Sequence, residues 1–143
     1  MKLTNTHTLN RKAGMTLLEL TVVILVLLSL ISILFIGARA WKKGSDRSAN
    51  ILNLRNAQQA VRGHANMRGL LEGNTTATEA VIFGATGDGV GGYLRKPTPP
   101  ATEITSYTGT GTVPTVGVLW LTAAYTGTGL ADFGPDTTVT NTW

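Results

Sequence analysis

The chain has 143 residues, 43% of them hydrophobic, no cysteine and a formal net charge of +4. Without cysteine there is no disulfide, thiolate metal site or cysteine nucleophile, and the redox compartment stays open. Three of the twelve basic side chains, Lys2, Arg11 and Lys12, stand in the first twelve residues; the other nine face eight acids, and that near-neutrality argues against nucleic acid as the main partner.

Residues 1–13 are polar, mildly basic and without apolar period, which reads as a leader rather than as structure. A long apolar stretch follows. After the single acid Glu19, nineteen residues from Leu20 to Ala38 carry no charge, enough to cross the roughly 30 Å hydrocarbon core of a bilayer as a helix. A carboxylate in such a segment costs about 2.5–3.5 kcal/mol at the membrane centre and less toward the interface, so Glu19 calls for a partner. From Ile51 the apolar residues recur as Ile51, Leu54, Ala57, Val61 and Ala65, one stripe on one helix face, and every proline lies after Lys96. The pattern predicts one helix from about Thr16 to about Met67, roughly 75–80 Å long, apolar all round in its first half and amphipathic in its second. A small domain cannot bury such a helix, so the apolar half is expected to protrude.

Gly69 and Gly73 are expected to end the helix. Thr76-Ala77-Thr78-Glu79 fits a capping box and predicts a short helix over Ala77 to Phe83. Gly84 to Gly92 is a glycine-rich loop, and Lys96-Pro97-Thr98-Pro99-Pro100 an extended connector. The composition then shifts: Ala101 to Trp143 has no lysine, arginine or histidine and is dense in threonine and glycine. Glu103 to Thr108 reads as a strand, Gly109 to Gly111 as a turn, and Val113 to Thr122 as a second strand, with Val116, Val118 and Trp120 on one face and Leu119 and Leu121 on the other. Pro114 puts the start of that strand at a sheet edge or strand end. A third strand is expected near Ala124 to Thr126.

The residues around the start of the apolar run carry a family resemblance. Arg11-Lys12-Ala13-Gly14 followed by Met15-Thr16-Leu17-Leu18-Glu19-Leu20 resembles the leader and methylation motif of type IV pilins and type II secretion pseudopilins. Most members have phenylalanine where this chain has Met15. The resemblance implies cleavage by a prepilin peptidase between Gly14 and Met15, methylation of Met15, and Glu19 as the family glutamate. It implies an α+β, pilin-like lollipop: leader 1–14, transmembrane and assembly half of the helix 15–40, amphipathic half 41–69, and a small β-containing head 70–143. Gly92-Tyr93-Leu94 and Val113-Pro114-Thr115-Val116-Gly117 also resemble segments of short pilin-like proteins, some of which carry a cysteine pair; this chain must rely on packing alone. Implied partners are other pilin-like subunits, the peptidase, a membrane platform with its ATPase, and lipid. The implied location is a single pass of the cytoplasmic membrane with the head outside, then a filament. The family's major pilins often loosen this helix with glycine and proline, and neither occurs between Met15 and Ile36, which tilts the reading toward a pseudopilin or minor pilin.

On this reading Glu19 pairs with the N-terminal amine of a neighbouring subunit. The reference pKa of an α-amino group, about 7.7–8.0, keeps it largely protonated at neutral pH, and a fixed cation offsets the penalty of a carboxylate in low dielectric. Arg39, Lys42, Lys43 and Arg47 beyond the apolar run read as a solvated cluster, with anionic lipid or acids of adjacent subunits as the alternative. Four basic residues there against three in the leader leave orientation to the resemblance. No metal or cofactor is expected; since some secretion pseudopilins bind calcium near the C-terminus, Asp132 and Asp136 are the oxygen donors to consider. Gly87 to Gly92 lacks the lysine of a phosphate loop. His7 and His64 are the only histidines and make no metal site or triad, so no enzyme is expected. Asn74-Thr75-Thr76 matches the N-glycosylation acceptor pattern and reads as a chance match. Two other functions compete: an exported soluble protein cut after Ala40, at Ala38-Arg39-Ala40, and a single-pass membrane-anchored binding domain.

Overall fold

A computed structural model describes residues 16–136; Gly14, Met15 and His7 lie outside the described residues. The elements are α1 (Leu17–Arg68), α2 (Glu79–Phe83), β1 (Ile104–Gly109), β2 (Leu121–Tyr125) and α3 (Gly129–Phe133). α1 is continuous over 52 residues, close to the expected span. It ends as expected: Gly69 takes φ +62°, Gly69 N–H donates to the Asn66 carbonyl at 3.4 Å, and Leu70 N–H donates to the Ala65 carbonyl at 2.9 Å. Those bonds use two carbonyls that the end of a helix leaves open, and glycine reaches the left-handed conformation without a Cβ penalty. The chain divides into two compact units between Arg39 and Ala40, inside α1.

In the unit from Ala40 onward, α1 buries Leu54, Ala57, Val61 and Ala65, four of the five stripe residues, while Ile51 is half-buried. Three polar residues share the buried face: Asn50, Gln58 and His64. Against it lie Ala77, Ile82 and Phe83 from around α2, Ile104 and Tyr107 of β1, and Trp120, Leu121 and Phe133. Phe83 and Trp120 stack tilted, ring centroids 5.4 Å apart. The fold is α+β: the amphipathic part of the long helix packs on a two-stranded antiparallel sheet.

Ile104 and Tyr107 both face the core although three residues apart, because the register slips between Ile104 and Ser106. A bulge inserts one residue and restores the inward direction. β2 corrects the sequence expectation. Of the expected strand Val113 to Thr122 only Leu121 and Thr122 are extended, and β2 runs on to Tyr125, taking in Ala124 and Tyr125 of the expected third strand. Val116 and Val118 are exposed, whereas Trp120 and Leu121, neighbours in sequence, are both fully buried, so no alternating face exists. The reasons are local. Pro114 offers no N–H, Gly117 sits at φ +86°, and Val118 N–H turns back to the Thr115 carbonyl at 3.2 Å. The carboxamide of Gln58 then stands in for a strand: its Nε2 donates to the Val118 carbonyl at 3.1 Å and its Oε1 accepts from Trp120 N–H at 2.9 Å.

Asn50 does the same near β1, β2 and α3. Its Nδ2 donates to the Phe133 carbonyl at 2.9 Å and to the Tyr125 hydroxyl at 3.0 Å, and its Oδ1 accepts from the Tyr107 hydroxyl at 2.6 Å. α3 was not expected from the sequence. The capping box does not form either: α2 starts at Glu79 with Thr78 as N-cap and no side-chain cap bond, while the Thr76 hydroxyl turns back to Asn74.

Removing one partner of a buried hydrogen bond leaves the other unsatisfied, at about 1–3 kcal/mol per group. Gln58→Leu orphans two backbone groups and should destabilise the fold by about 2–6 kcal/mol on that scale. The exposed neighbour Gln59→Leu should stay within about 0.5 kcal/mol of wild type. Denaturant unfolding of the full chain in detergent, followed by tryptophan fluorescence, checks this; equal midpoints for the two variants would refute the bracing role.

Candidate functional site

Of the unit before Ala40, the described residues from Leu17 on are all helix. From Leu17 to Ile36 its large apolar side chains are all exposed, from 44% at Val23 to 82% at Leu17, with no face covered by other described residues. The helix is long and apolar enough to cross a membrane. Its hydroxyl side chains from Leu17 to Ile36 bond back to their own helix, which is compatible with such a setting. The Thr21 hydroxyl donates to the Leu18 carbonyl at 2.8 Å, Ser29 to Val26 at 2.7 Å and Ser32 to Leu28 at 2.8 Å. Hydrocarbon offers no hydrogen bonds, so each hydroxyl that bonds back to its own helix avoids an unsatisfied donor.

Glu19 lies in the first turn of α1. Thr16 precedes the helix: its Oγ1 accepts from Glu19 N–H at 3.3 Å and its carbonyl accepts from Leu20 N–H at 3.1 Å. Thr16 is thus the N-cap and Glu19 the third helical residue, where unpaired amides and the helix dipole favour a negative charge. The sequence expectation for Glu19 was an intramembrane acid paired with a neighbouring subunit's amine; its part in the helix terminus was not foreseen. The signal it missed was the Thr16-Leu17-Leu18-Glu19 spacing, which matches a capping box. The carboxylate of Glu19 is exposed, and among the described residues no cation pairs with it.

Of the basic cluster beyond the apolar run, Lys42 pairs with Asp46 at 2.7 Å and Lys43 with Asp132 at 3.0 Å. Trp41 beside them is 79% exposed, and an indole with basic neighbours suits the membrane–water boundary. The Lys43 ammonium and the Thr128 hydroxyl, both bonded to Oδ2 of Asp132, hold its carboxyl below the usual range. The suggested calcium donor is therefore already engaged by a cation, Asp136 has an interaction of its own, and no group of three or more His, Asp or Glu suited to a metal occurs among the described residues.

The glycine-rich loop does not offer its amides to an anion. Gly89 N–H donates to the Phe83 carbonyl at 2.9 Å, Gly92 N–H to Gly89 at 3.1 Å, and Tyr93 and Leu94 N–H both to Ile82 at 2.8 and 3.0 Å. The return is so close that a Cβ on Gly92 would clash with the backbone of Gly84 and Phe83. His64 is buried with Nδ1 3.1 Å from the Tyr93 hydroxyl, a structural placement. An open cleft of about 390 Å³ lies between α1 and the connector, lined by Asn53, Asn56 and Arg95 among others; it brings together no acid–base pair.

Glu79 ties this region to the sheet. Its Oε1 accepts from Gly109 N–H at 2.7 Å and its Oε2 from the Lys96 ammonium at 2.6 Å. Partial burial raises its pKa, but the bonds from Lys96 and Gly109 and the lysine charge outweigh this, and the net shift is downward. A carboxylate held below its unfolded value adds stability above that value and loses it as pH falls through the folded one. Acidification below about 4.5, the ordinary value of this carboxyl, should therefore lower the melting temperature more steeply in wild type than in Glu79→Gln. Melting curves from about pH 7 to about pH 3, which spans the carboxylate range, check this; parallel pH dependences would remove the electrostatic role.

No family model matches the chain, and neither a curated protein nor a solved structure does.

Proposed function

We propose that the chain is a structural subunit, a pseudopilin or a minor or major pilin, of a type IV pilus-like or type II secretion-like filament, processed by a prepilin peptidase. The observation that carries this reading is the unbroken α1, whose first part is exposed and apolar on every side, bonds its own hydroxyls, and begins at a capped turn holding Glu19. The motif from Arg11 to Leu20 supplies the rest; Gly14 and Met15 stand outside the described residues and enter from the sequence alone.

The physical sequence is short. The precursor sits in the cytoplasmic membrane with residues 41–143 outside. Cleavage after Gly14 frees an amine four residues before Glu19. The processed helix then leaves lipid for a bundle of like helices. Both surroundings are apolar and the backbone is satisfied in each, so the exchange has no large hydrophobic term, and packing together with one charge pair decides it. That pair joins the Glu19 carboxylate and the α-amino group of a neighbouring subunit. A subunit out of register leaves both charges unpaired in low dielectric, which the correct register avoids. A membrane platform and its ATPase drive the cycle.

Export with cleavage after Ala40 is the second reading. It is favoured by the division of the chain between Arg39 and Ala40, which would release a unit with its own core. Against it, the Ala40–Trp41 bond lies inside α1 and would have to unwind before cleavage.

Intact mass of the full chain after co-expression with a prepilin peptidase discriminates. The expected product starts at Met15 and carries one added methyl group. A start at Trp41 would establish the second reading, and an uncut chain a simple anchored domain. Glu19→Ala should still be processed but should drop out of filaments assembled with wild-type subunits; incorporation equal to wild type would refute the charge pair.

A further inference from the structure

The turn between α1 and α2 contains Glu72-Gly73-Asn74-Thr75-Thr76, and its geometry gives the acceptor pattern more weight than its sequence did. Oδ1 of Asn74 accepts two bonds from Thr76, from the backbone N–H at 3.0 Å and from the hydroxyl at 2.7 Å. A backbone N–H can only donate, so the atom facing it is the carboxamide oxygen. The nitrogen is therefore the end left out of these bonds. Backbone bonds hold the turn from both sides. Gly73 N–H donates to the Val113 carbonyl at 2.8 Å, Val113 N–H to the Asn74 carbonyl at 2.9 Å, and Asn74 N–H to Leu71 at 3.2 Å. Leu71, Glu72, Gly73, Thr75 and Thr76 are exposed and Asn74 is half-buried, so the turn that carries the acceptor pattern lies at the surface of its unit. Asn74 is not itself one of the buried residues that hold the fold; only its backbone carbonyl meets one of them, Val113.

We propose that Asn74 is an N-glycosylation site, with a polyprenyl-diphosphate-linked oligosaccharide as the donor. In the transfer, Nδ2 of Asn74 forms a bond to the anomeric carbon of the first sugar. The bond from that carbon to the diphosphate oxygen breaks, the polyprenyl diphosphate leaves with the electron pair, and one Nδ2 proton passes to a base of the transferase. Thr76 presents the hydroxyl that the acceptor pattern requires two residues on, and Thr75 between them is not proline. The exposed carboxylate of Glu72, two residues before Asn74, offers a second, charged handle to an enzyme with a basic cleft. In cells the site is reached only if residues 41–143 lie outside the cytoplasmic membrane, so modification there rests on the proposed membrane orientation.

The test uses the full chain in detergent with a purified single-subunit oligosaccharyltransferase and a polyprenyl-diphosphate heptasaccharide, read by intact mass beside a control acceptor peptide. One heptasaccharide should be added to wild type and to Thr76→Ser, and none to Asn74→Gln or Thr76→Val. An unmodified wild-type chain beside a modified control peptide overturns the proposal, as does addition to Asn74→Gln. The same chain expressed in cells holding that transferase separates the two readings. Modification in the tube with none in the cell upholds Asn74 as an acceptor and counts against the outward-facing head.

Discussion

Two carboxamides on one helix hold the second unit of this protein together. Gln58 grips the backbone at Val118 and Trp120, and Asn50 joins the hydroxyls of Tyr107 and Tyr125 to the carbonyl of Phe133. They sit eight positions apart, so they lie on the same face of α1 near Leu54, Ala57 and Val61. A carboxamide carries both a donor and an acceptor in the arrangement of a peptide group. In that respect the helix extends β-type hydrogen bonding to chain that has no strand partner. A two-stranded sheet is marginal without further packing, and here the helix supplies both the apolar surface and the missing polar partners.

With no cysteine in the chain, that bracing has a particular importance. A domain of this size stands near the lower limit for an independent core, and small domains commonly add covalent links. This one instead places Trp120 against Phe83, bonds its indole N–H to the Ala77 carbonyl at 2.9 Å, and anchors its backbone N–H on Gln58. A Cβ on Gly109 would come within 2.7 Å of the Trp120 ring, so the hairpin backbone lies directly against the indole. The Glu79 carboxylate, between Gly109 and Lys96, closes the same corner electrostatically.

The apolar unit obeys different physics. None of the described residues covers its apolar side chains; on the proposed reading lipid, like helices, or both in turn surround them. Its helix satisfies the backbone and its three hydroxyls without help. Among the described residues the Glu19 carboxylate has no cation beside it, and its place in the first turn already lessens the penalty through the helix terminus. A register-setting charge is most selective when it is stable enough to exist alone and better satisfied in one arrangement than in any other.

Much of this was legible in the sequence because it depends on local rules. An apolar run without proline, continued by a stripe at helical spacing, determines a single long helix through backbone hydrogen bonding and burial period alone, and α1 falls within a residue of that expectation. The turn glycines and the first strand follow from equally local chemistry. Asn50, Gln58 and His64 were not legible as buried, since polar side chains on a helix face ordinarily meet water; what buried them is the arrival of chain fifty or more residues away, or of Tyr93 in the case of His64. For the same reason Val113 to Thr122 looked like a strand. Its alternation is real in sequence, but Pro114, Gly117 and the grip of Gln58 set its path. Glu19 joins both levels: its type, its offset from Gly14 and the capping-box spacing from Thr16 are sequence facts, while the bond that makes Thr16 the cap, like the turn that carries Asn74, was decided by the folded chain, because a cap and a turn are defined by where the backbone goes next.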